Sequence, residues 1–431
     1  MRVCKLVFSN YRCFDQFELE FSQDFTVLVG KNGSGKSTVL DGLATGLSSF
    51  FLGMPGSTSG SISQSDVRTV SYAIGSRMER QAQYPARIVC QGILNGEGLS
   101  WARARNTDEG RTTYGEADQL AKTAKTLYQR IQTGDISVKL PILAYYGTGR
   151  LWAKKKERKE TVKVPQNSRV AGYADCLDAI SHEKRMDQWF EQMTYLELQE
   201  NRPIPELEAV RRAILTCFNQ SGNAMLHATR CIFNVKTHEI EVTYETKEHH
   251  TEVHAISEMS DGYRNMLSMV ADIAYRMALL NPQLLENVTE ETEGIILIDE
   301  IDLHLHPSWQ RQIVRTLKTV FPKVQFIVTT HAPSVIASVK QEEVVMLDGH
   351  AAIPVPCPTY GKDSNAILET VMDVPERQDD VKHDIESFHK ALAEGRFEQA
   401  QIILNQLRAL LGDNDPEVIG AQTAYTLETM D

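Results

Sequence analysis

One glycine-rich stretch constrains this chain more than any other part of its sequence. Residues 30–37 read GKNGSGKS, which fits the pattern G-x-x-x-x-G-K-[ST], and they follow the apolar run of residues 25–29. Glycines lack the Cβ atoms that would obstruct a tight turn, so successive backbone N–H groups can converge on phosphate oxygens. Residues 38–50 are typical of a helix, whose N-terminus adds positive potential at the same place. The stretch predicts a phosphate-binding loop; the alternative is a glycine-rich turn that binds nothing.

The side chains of this loop predict ATP with Mg²⁺ as its ligand. Lys36 is expected to reach the β- and γ-phosphates as a mobile positive charge, and the Ser37 hydroxyl is expected to ligate Mg²⁺. The residues expected to contact the nucleotide are Gly30, Asn32, Gly33, Ser34, Gly35, Lys36, Ser37 and Thr38.

A second group of polar residues follows an apolar run typical of a strand buried on both faces of a mostly parallel sheet, residues 294–298. Ligands bind at the carboxyl ends of such strands. Asp299 is therefore expected to hold Mg²⁺, directly or through water, and Glu300 to orient and deprotonate the attacking water. The alternative is a chance Asp-Glu pair.

A histidine follows the next predicted strand, residues 324–330. His331 is expected to reach the γ-phosphate and to sense its presence. A histidine at such a place, taken alone, is more often a structural residue whose hydrogen bonds are satisfied within the core or a loop, and the phosphate loop and acidic pair are what favour the role at the phosphate.

Composition restricts the class of protein. The chain has 431 residues, 42% of them hydrophobic, which is typical of a globular protein. Its formal net charge of −12 argues against a protein that binds nucleic acid over most of its surface. Its seven cysteines are scattered, with no C-x-x-C pair, as in a cytosolic protein with reduced thiols. We see neither a signal peptide nor an apolar run that could span a bilayer, so we expect a cytoplasmic protein without membrane contact.

The order of patterns predicts an α/β fold with two parts. Residues 1–358 are expected to form an ATPase domain with a mostly parallel core sheet, an antiparallel β subdomain and a helical insert at about 106–225. Residues 359–431 are expected to form a helical region for assembly or partner docking. The charge run at 154–159 is either a solvated loop or a basic patch for DNA.

The segment Met-Ser-Asp-Gly-Tyr-Arg at 259–264 resembles the signature motif of ABC-type ATPases in its RecF/SMC form. Ser260 and Gly262 stand at the expected places, whereas Asp261 and Tyr263 replace the Gly and Gln of transporters. The motifs of that superfamily occur in the order phosphate loop, signature, Walker B, D-loop and histidine. This chain matches the order over residues 1–348, with Asp299-Glu300 as the Walker B pair, Asp302 in the D-loop position and His331 as the histidine.

Two further features bear on this resemblance. Residues 10–14, Asn-Tyr-Arg-Cys-Phe, resemble the N-terminal stretch of RecF-like heads, which implies that Arg12 lies at the nucleotide. The glutamine of the family's Q-loop has no assignment, since Gln91 falls in a predicted hairpin strand and residues 147–150 contain no glutamine.

The resemblance implies a mechanism. A signature motif faces the γ-phosphate of a partner subunit, so two heads sandwich two ATP molecules head to tail. The helix starting near Ser260 would again present N–H groups to phosphate. ATP binding is expected to assemble the active sites and hydrolysis to loosen them.

The segments 360–368, 373–377 and 412–417 resemble PtuA-type ATPases of bacterial Septu antiphage systems, which associate with an HNH nuclease, PtuB. The resemblance implies an ATPase subunit that regulates a partner nuclease, with DNA contacted through the complex. A DNA-repair clamp and a nucleotide-locked scaffold with negligible turnover are the alternatives. A transporter subunit lacks the matching signature, and a Toprim nuclease needs more chain than follows Leu347.

Overall fold

The computed structural model describes residues 1–151, 168–178, 183–222, 225–248 and 250–429. It divides into two compact units, Met1–Ser364 and Asn365–Asp431. The basic run at 154–159 lies outside the described residues.

The strands, numbered in chain order, are β1 (Arg2–Tyr11), β2 (Phe14–Glu20), β3 (Phe25–Val29), β4 (Thr69–Ile74), β5 (Arg77–Ala82), β6 (Ala86–Leu94), β7 (Glu97–Arg105), β8 (Ile142–Tyr146), β9 (Leu226–Asn234), β10 (Glu239–Thr246), β11 (Thr251–Ala255), β12 (Gly294–Ile298), β13 (Val324–Thr329), β14 (Val344–Asp348) and β15 (Ala351–Pro354). The helices are α1 (Lys36–Leu47), α2 (Asp118–Gln132), α3 (Glu183–Glu200), α4 (Pro205–Asn219), α5 (Asp261–Leu280), α6 (Val288–Glu291), α7 (Pro307–Gln310), α8 (Ile313–Val320), α9 (Pro333–Ile336), α10 (Ser364–Thr370), α11 (Asp379–Ala393), α12 (Phe397–Leu411) and α13 (Pro416–Thr429).

The core of the first unit is a six-stranded sheet with the order β15-β14-β3-β13-β12-β8. Five strands are parallel and only β15 is antiparallel, so the predicted mostly parallel α/β sheet is confirmed. Every residue of β3, β8, β12 and β13 is buried, as expected for strands covered on both faces. The carboxyl ends of β3, β12 and β13 meet at one edge of the sheet, which brings the predicted polar groups together.

An antiparallel sheet with the order β2-β1-β6-β7 lies in the same unit and confirms the predicted β subdomain. Its β6–β7 hairpin turns at Asn95 and Gly96, both of which have positive φ (54° and 83°). Phe8, Phe14 and Phe17 pack against one another and form an aromatic cluster in this part of the core. This cluster lies beside α1, the helix that follows the phosphate-binding loop.

Three details differ from the sequence-based predictions. The pattern of residues 307–321, with proline at the first turn, predicts a single helix, but the structure has two helices, α7 and α8, with a break at 311–312. The apolar run of residues 344–347 predicts the last strand of the sheet, but β14 pairs with β3 on one side and with a further edge strand, β15, on the other. A two-stranded ribbon, β4–β5, was not predicted, because a strand that packs on no core carries no alternation of buried and exposed residues.

The second unit is helical. Its helices α11, α12 and α13 share one small apolar core, formed by Phe388, Ala391, Leu392, Ala400, Leu404, Leu407, Val418 and Ala421. An ion pair between Arg377 and Asp415 (3.0 Å) ties the start of the unit to the turn before α13. Among the helices of the described residues, none is long and apolar enough to cross a bilayer.

Replacement of two helix glycines by alanine tests the packing, with opposite expected effects on the free energy of unfolding. A Cβ at Gly42 in α1 would lie 2.3 Å from Cζ of the fully buried Phe8, whereas one at Gly420 in α13 would meet nothing within 4 Å. We expect Gly42→Ala to lower the free energy of unfolding by about 1–3 kcal/mol through overpacking. Gly420→Ala should raise it by up to about 1 kcal/mol, because alanine is the better helix former.

Denaturant unfolding measures both changes. All four tryptophans lie in the first 364 residues, so tryptophan fluorescence follows Gly42→Ala. The part of the far-UV circular dichroism change that has no counterpart in fluorescence follows the helical second unit. A stabilised Gly42→Ala variant would contradict the described contact between α1 and Phe8.

Candidate functional site

The predicted phosphate-binding loop occupies the turn between β3 and α1. Gly30 (φ 151°) passes so close to the chain that a Cβ there would lie 2.5 Å from the carbonyl oxygen of Leu347 in β14. Gly35 (φ 101°) is at the N-cap of α1, and a Cβ there would lie 2.5 Å from the ring of Phe14. Both positions therefore require glycine, for backbone conformation and for space.

Lys36 is the first residue of α1 and folds back over the loop. Its Nζ donates hydrogen bonds to the carbonyl oxygens of Gly30 (2.8 Å) and Lys31 (3.1 Å). Burial lowers the pKa of Lys36 from its ordinary value, and the carboxylates of Asp299 and Glu300 oppose part of that shift. The ammonium is thus held between the loop and the acidic pair.

The Ser34 hydroxyl is an unusual group of this loop. Within the described part of the chain its Oγ is buried and has no hydrogen-bond partner. A buried hydroxyl without a partner costs free energy, which a bond to a ligand or to water would offset. Its position in the loop fits a phosphate ligand.

A chain of hydrogen bonds joins the loop to the acidic pair across the sheet edge. Ser37 Oγ donates to Asp299 Oδ2 (2.9 Å), and Thr329 Oγ1 donates to Asp299 Oδ1 (2.6 Å). The same Thr329 oxygen accepts the backbone N–H of Glu300 (2.7 Å). Residues 262 positions apart in sequence, Ser37 and Asp299, are therefore in direct contact. Their hydroxyl and carboxylate oxygens are ligands that Mg²⁺ prefers.

The backbone at the acidic pair is strained. Glu300 has φ 49°, a left-handed conformation that is uncommon for residues other than glycine. The Asp299 N–H donates to the carbonyl oxygen of Tyr146 at the end of β8 (2.8 Å), which fixes the preceding peptide.

Gln91, the glutamine considered for the Q-loop, lies within strand β6, where it pairs with Ser100 of β7.

The D-loop and the predicted histidine lie at the end of β13. Thr330 Oγ1 donates to Asp302 Oδ1 (2.5 Å) and accepts the N–H of Ala332 (3.0 Å). His331 lies between these two bonded residues and is half-buried. The histidine is thus held at the same sheet edge as Asp299.

The signature segment begins a long helix. Ser260 is the exposed N-cap residue of the 20-residue helix α5. A Cβ on Gly262 would lie 2.8 Å from the carbonyl oxygen of His304, and Asn265 Nδ2 donates to the carbonyl oxygen of Leu303 (3.1 Å). The start of α5 therefore packs on the D-loop of its own chain and leaves Ser260 at the surface.

The guanidinium of Arg12, a residue expected at the nucleotide, hydrogen-bonds two carboxylates. Nη1 donates to Asp41 Oδ2 (2.5 Å) and Nε donates to Asp66 Oδ1 (2.8 Å). Burial alone would raise the pKa of Asp66, but hydrogen bonds from Ser63 and Arg12 outweigh it and hold that pKa below its ordinary value. Sequence reasoning gave no role to Asp41 or Asp66.

Thr329 was likewise given no role by sequence reasoning. Its signal in the sequence is weak, because a threonine at the end of a buried strand is common. Only the pairing of β12 with β13 brings its hydroxyl to both members of the acidic pair.

Two protein-family models match this chain. A family model described as "AAA domain" matches residues 5–221, and another described as "AAA ATPase domain" matches residues 144–336. The chain belongs to the AAA domain family. The ABC-type ATPase class and P-loop fold predicted for this AAA-domain protein are confirmed.

Individual relatives of this AAA-domain protein differ in how much of it they match. The Retron Ec83 probable ATPase of Escherichia coli is 25% identical over 89% of this chain and 78% of its own length. The Septu protein PtuA of Bacillus thuringiensis is 35% identical over 30% of this chain and 34% of its own length. The SMC head bound to the C-winged helix domain of ScpA has a TM-score of 0.48 and 16% identity, over 82% of this chain and 97% of that one.

Replacement of Thr329 tests the hydrogen-bond chain in this AAA-domain protein. Thr329→Val keeps the shape of the side chain but removes the hydroxyl that contacts Asp299 and Glu300. We expect kcat for ATP hydrolysis to fall by about 10- to 100-fold, as is typical for groups that orient a metal ligand. Thr329→Ser, which keeps the hydroxyl, should retain most of the activity. Loss of activity in Thr329→Ser together with full activity in Thr329→Val would mean that the methyl group, not the hydroxyl, matters.

Proposed function

We propose that this chain binds ATP with Mg²⁺ in the loop between β3 and α1 and hydrolyses it. The observation that carries the proposal is the contact of Ser37 with Asp299, because it joins a phosphate-binding loop to a carboxylate at the place where Mg²⁺ would be ligated. When bound there, Mg²⁺ would neutralise charge on the phosphate oxygens.

Each residue at the sheet edge has a role in this proposal. Backbone N–H groups of the loop and the Ser34 hydroxyl bind phosphate oxygens, and Lys36 holds the terminal phosphates by its positive charge. Glu300 orients a water molecule and accepts its proton, with its backbone fixed by Thr329. His331 hydrogen-bonds the terminal phosphate.

We further propose that a second copy of the chain completes each site. Ser260 is exposed at the N-terminus of α5, where free N–H groups and the helix dipole favour an anion. The packing of Gly262 on the D-loop supports this arrangement, because it orients the helix start without covering Ser260. Two copies would then bind two ATP molecules head to tail.

For the cellular role, we propose an ATPase subunit of a bacterial antiphage complex that regulates a partner HNH nuclease of the PtuB kind. Relatives named for a retron and for Septu support this role. Exposed apolar residues of the second unit, Ile402 and Leu410 among them, support partner docking or assembly there. DNA would be contacted through the complex, in the cytoplasm.

Mixing two inactive variants tests the shared site. Lys36→Ala removes the loop cation, and Ser260→Arg blocks the helix start. Each alone should lack ATPase activity. In a 1:1 mixture about half of the dimers are mixed, and each mixed dimer has both parts intact in one of its two sites. Turnover should therefore recover to at most about a quarter of the wild-type rate.

Thr237→Arg, in the exposed β9–β10 turn, is the control for added bulk and charge. An inactive mixture would refute the head-to-tail arrangement. Wild-type protein that binds ATP without turnover would instead favour the nucleotide-locked scaffold.

Partner docking is tested by co-purification with an HNH protein encoded beside this chain. Ile402 is 59% exposed on α12, so Ile402→Asp should abolish co-purification and leave the helix folded. Gln399→Asp, at an exposed polar position of the same helix, should leave co-purification unchanged. Retention of the partner by Ile402→Asp would exclude this surface.

A further inference from the structure

Arg12 occupies a position between two parts of the first unit that are distant in sequence. It follows β1 with a left-handed backbone conformation (φ 48°). Its side chain contacts Asp41 in α1 and Asp66 in the segment before β4, and its own N–H donates to the carbonyl oxygen of Asp66 (2.7 Å). One residue therefore makes three hydrogen bonds to two separate segments.

Its first contact reaches the phosphate-binding loop through α1. Asp41 lies one helical turn beyond Ser37 in α1. Asp41 Oδ2 accepts from Arg12, and Oδ1 accepts from the hydroxyl of Tyr145 in β8 (2.8 Å). Both carboxylate oxygens are thus engaged, so α1 is held on one side by Arg12 and on the other by the core sheet.

Its second contact reaches the root of the β4–β5 ribbon. Asp66 Oδ2 accepts hydrogen bonds from the backbone N–H (2.9 Å) and the hydroxyl (2.6 Å) of Ser63. Close by, the Arg68 N–H donates to the carbonyl oxygen of Asn10 (3.0 Å). The ribbon therefore leaves the body of the unit directly beside Arg12.

The ribbon has no packing of its own beyond this root. All residues from 71 to 82 are exposed, including Ile74 (58%) and Met78 (69%). A two-stranded ribbon without a packed face is only marginally stable by itself. Its direction and order therefore depend on the hydrogen bonds at its base.

The charges around Arg12 disfavour a role as a phosphate ligand. One guanidinium faces two carboxylates, which leaves the group with a net negative charge. A phosphate bound to the remaining N–H donors of the guanidinium would lie beside both carboxylates, and repulsion between the like charges would cost binding free energy. Neighbouring groups at the loop, Lys36 and the N-terminus of α1, supply positive potential without that cost.

We propose that Arg12 is a positioning residue that links α1 to the root of the β4–β5 ribbon, so that nucleotide binding and order in the ribbon are coupled. The inference rests on the proposed nucleotide site and adds a second region that senses its state. Coupling of this kind is reciprocal: nucleotide binding orders the ribbon, and a partner that holds the ribbon raises nucleotide affinity.

Two variants of the full-length chain separate this role from direct phosphate binding. Arg12→Gln removes the guanidinium, whereas Asp66→Asn frees the guanidinium from one carboxylate. If Arg12 links the two segments, both changes should weaken binding of Mg²⁺-AMP-PNP by about 2- to 30-fold. Amide hydrogen exchange of residues 63–83, measured without nucleotide, should rise by at least about tenfold in both. The double variant should resemble the single variants, because one link has been cut.

Asp15→Asn is the matched control. Asp15 pairs with Arg68 at the same root (3.5 Å) but is exposed, so its loss should change neither quantity. Arg12→Lys and the unfolding midpoints identify any variant that fails to fold.

Tighter or unchanged nucleotide binding by Asp66→Asn, together with weaker binding by Arg12→Gln, would overturn the proposal and make Arg12 a phosphate ligand. Unchanged exchange of residues 63–83 in both variants would overturn it as well. Wild-type protein that fails to bind Mg²⁺-AMP-PNP would refute the proposed nucleotide site instead.

Discussion

The two hydrogen bonds to the Asp299 carboxylate are the interaction on which the site depends. One comes from Ser37 at the start of α1 and the other from Thr329 at the end of β13. They can form only because β3, β13 and β12 are adjacent and parallel, so that three segments far apart in sequence end at one edge. Thr329 also holds the strained backbone of Glu300, so the proposed metal ligand and the proposed base are fixed by one hydroxyl.

Around this centre, other parts of the first unit reach the site indirectly. The helix α5 packs on the D-loop through Gly262 and Asn265, and the D-loop in turn is bonded to Thr330. On the other side, Arg12 ties α1 to the ribbon root. The start of α5 and the ribbon both face outward, and short, specific contacts connect them to the proposed nucleotide site. The proposed coupling between the nucleotide and partner subunits would act through these contacts.

Much of the fold and site was predictable from local pattern. Buried parallel strands are continuous apolar runs, and the glycine loop needs a fixed spacing, so β3, α1, β12 and β13 were all anticipated. The ribbon β4–β5 and the edge strand β15 were not, because short exposed strands owe little to hydrophobic periodicity. The break between α7 and α8 was missed because the apolar spacing continues across it.

The sequence by itself determined which chemistry this protein can perform: a lysine in a glycine turn, an acidic pair after a buried strand and a serine at a helix start are each set by local backbone and side-chain type. The tertiary structure decided which of these groups work together. Thr329 gained its role, and Arg12 its two carboxylate partners, only when strands and loops separated by tens to hundreds of residues came into contact. Hydrogen bonds between such segments depend on register and direction, which no local pattern records.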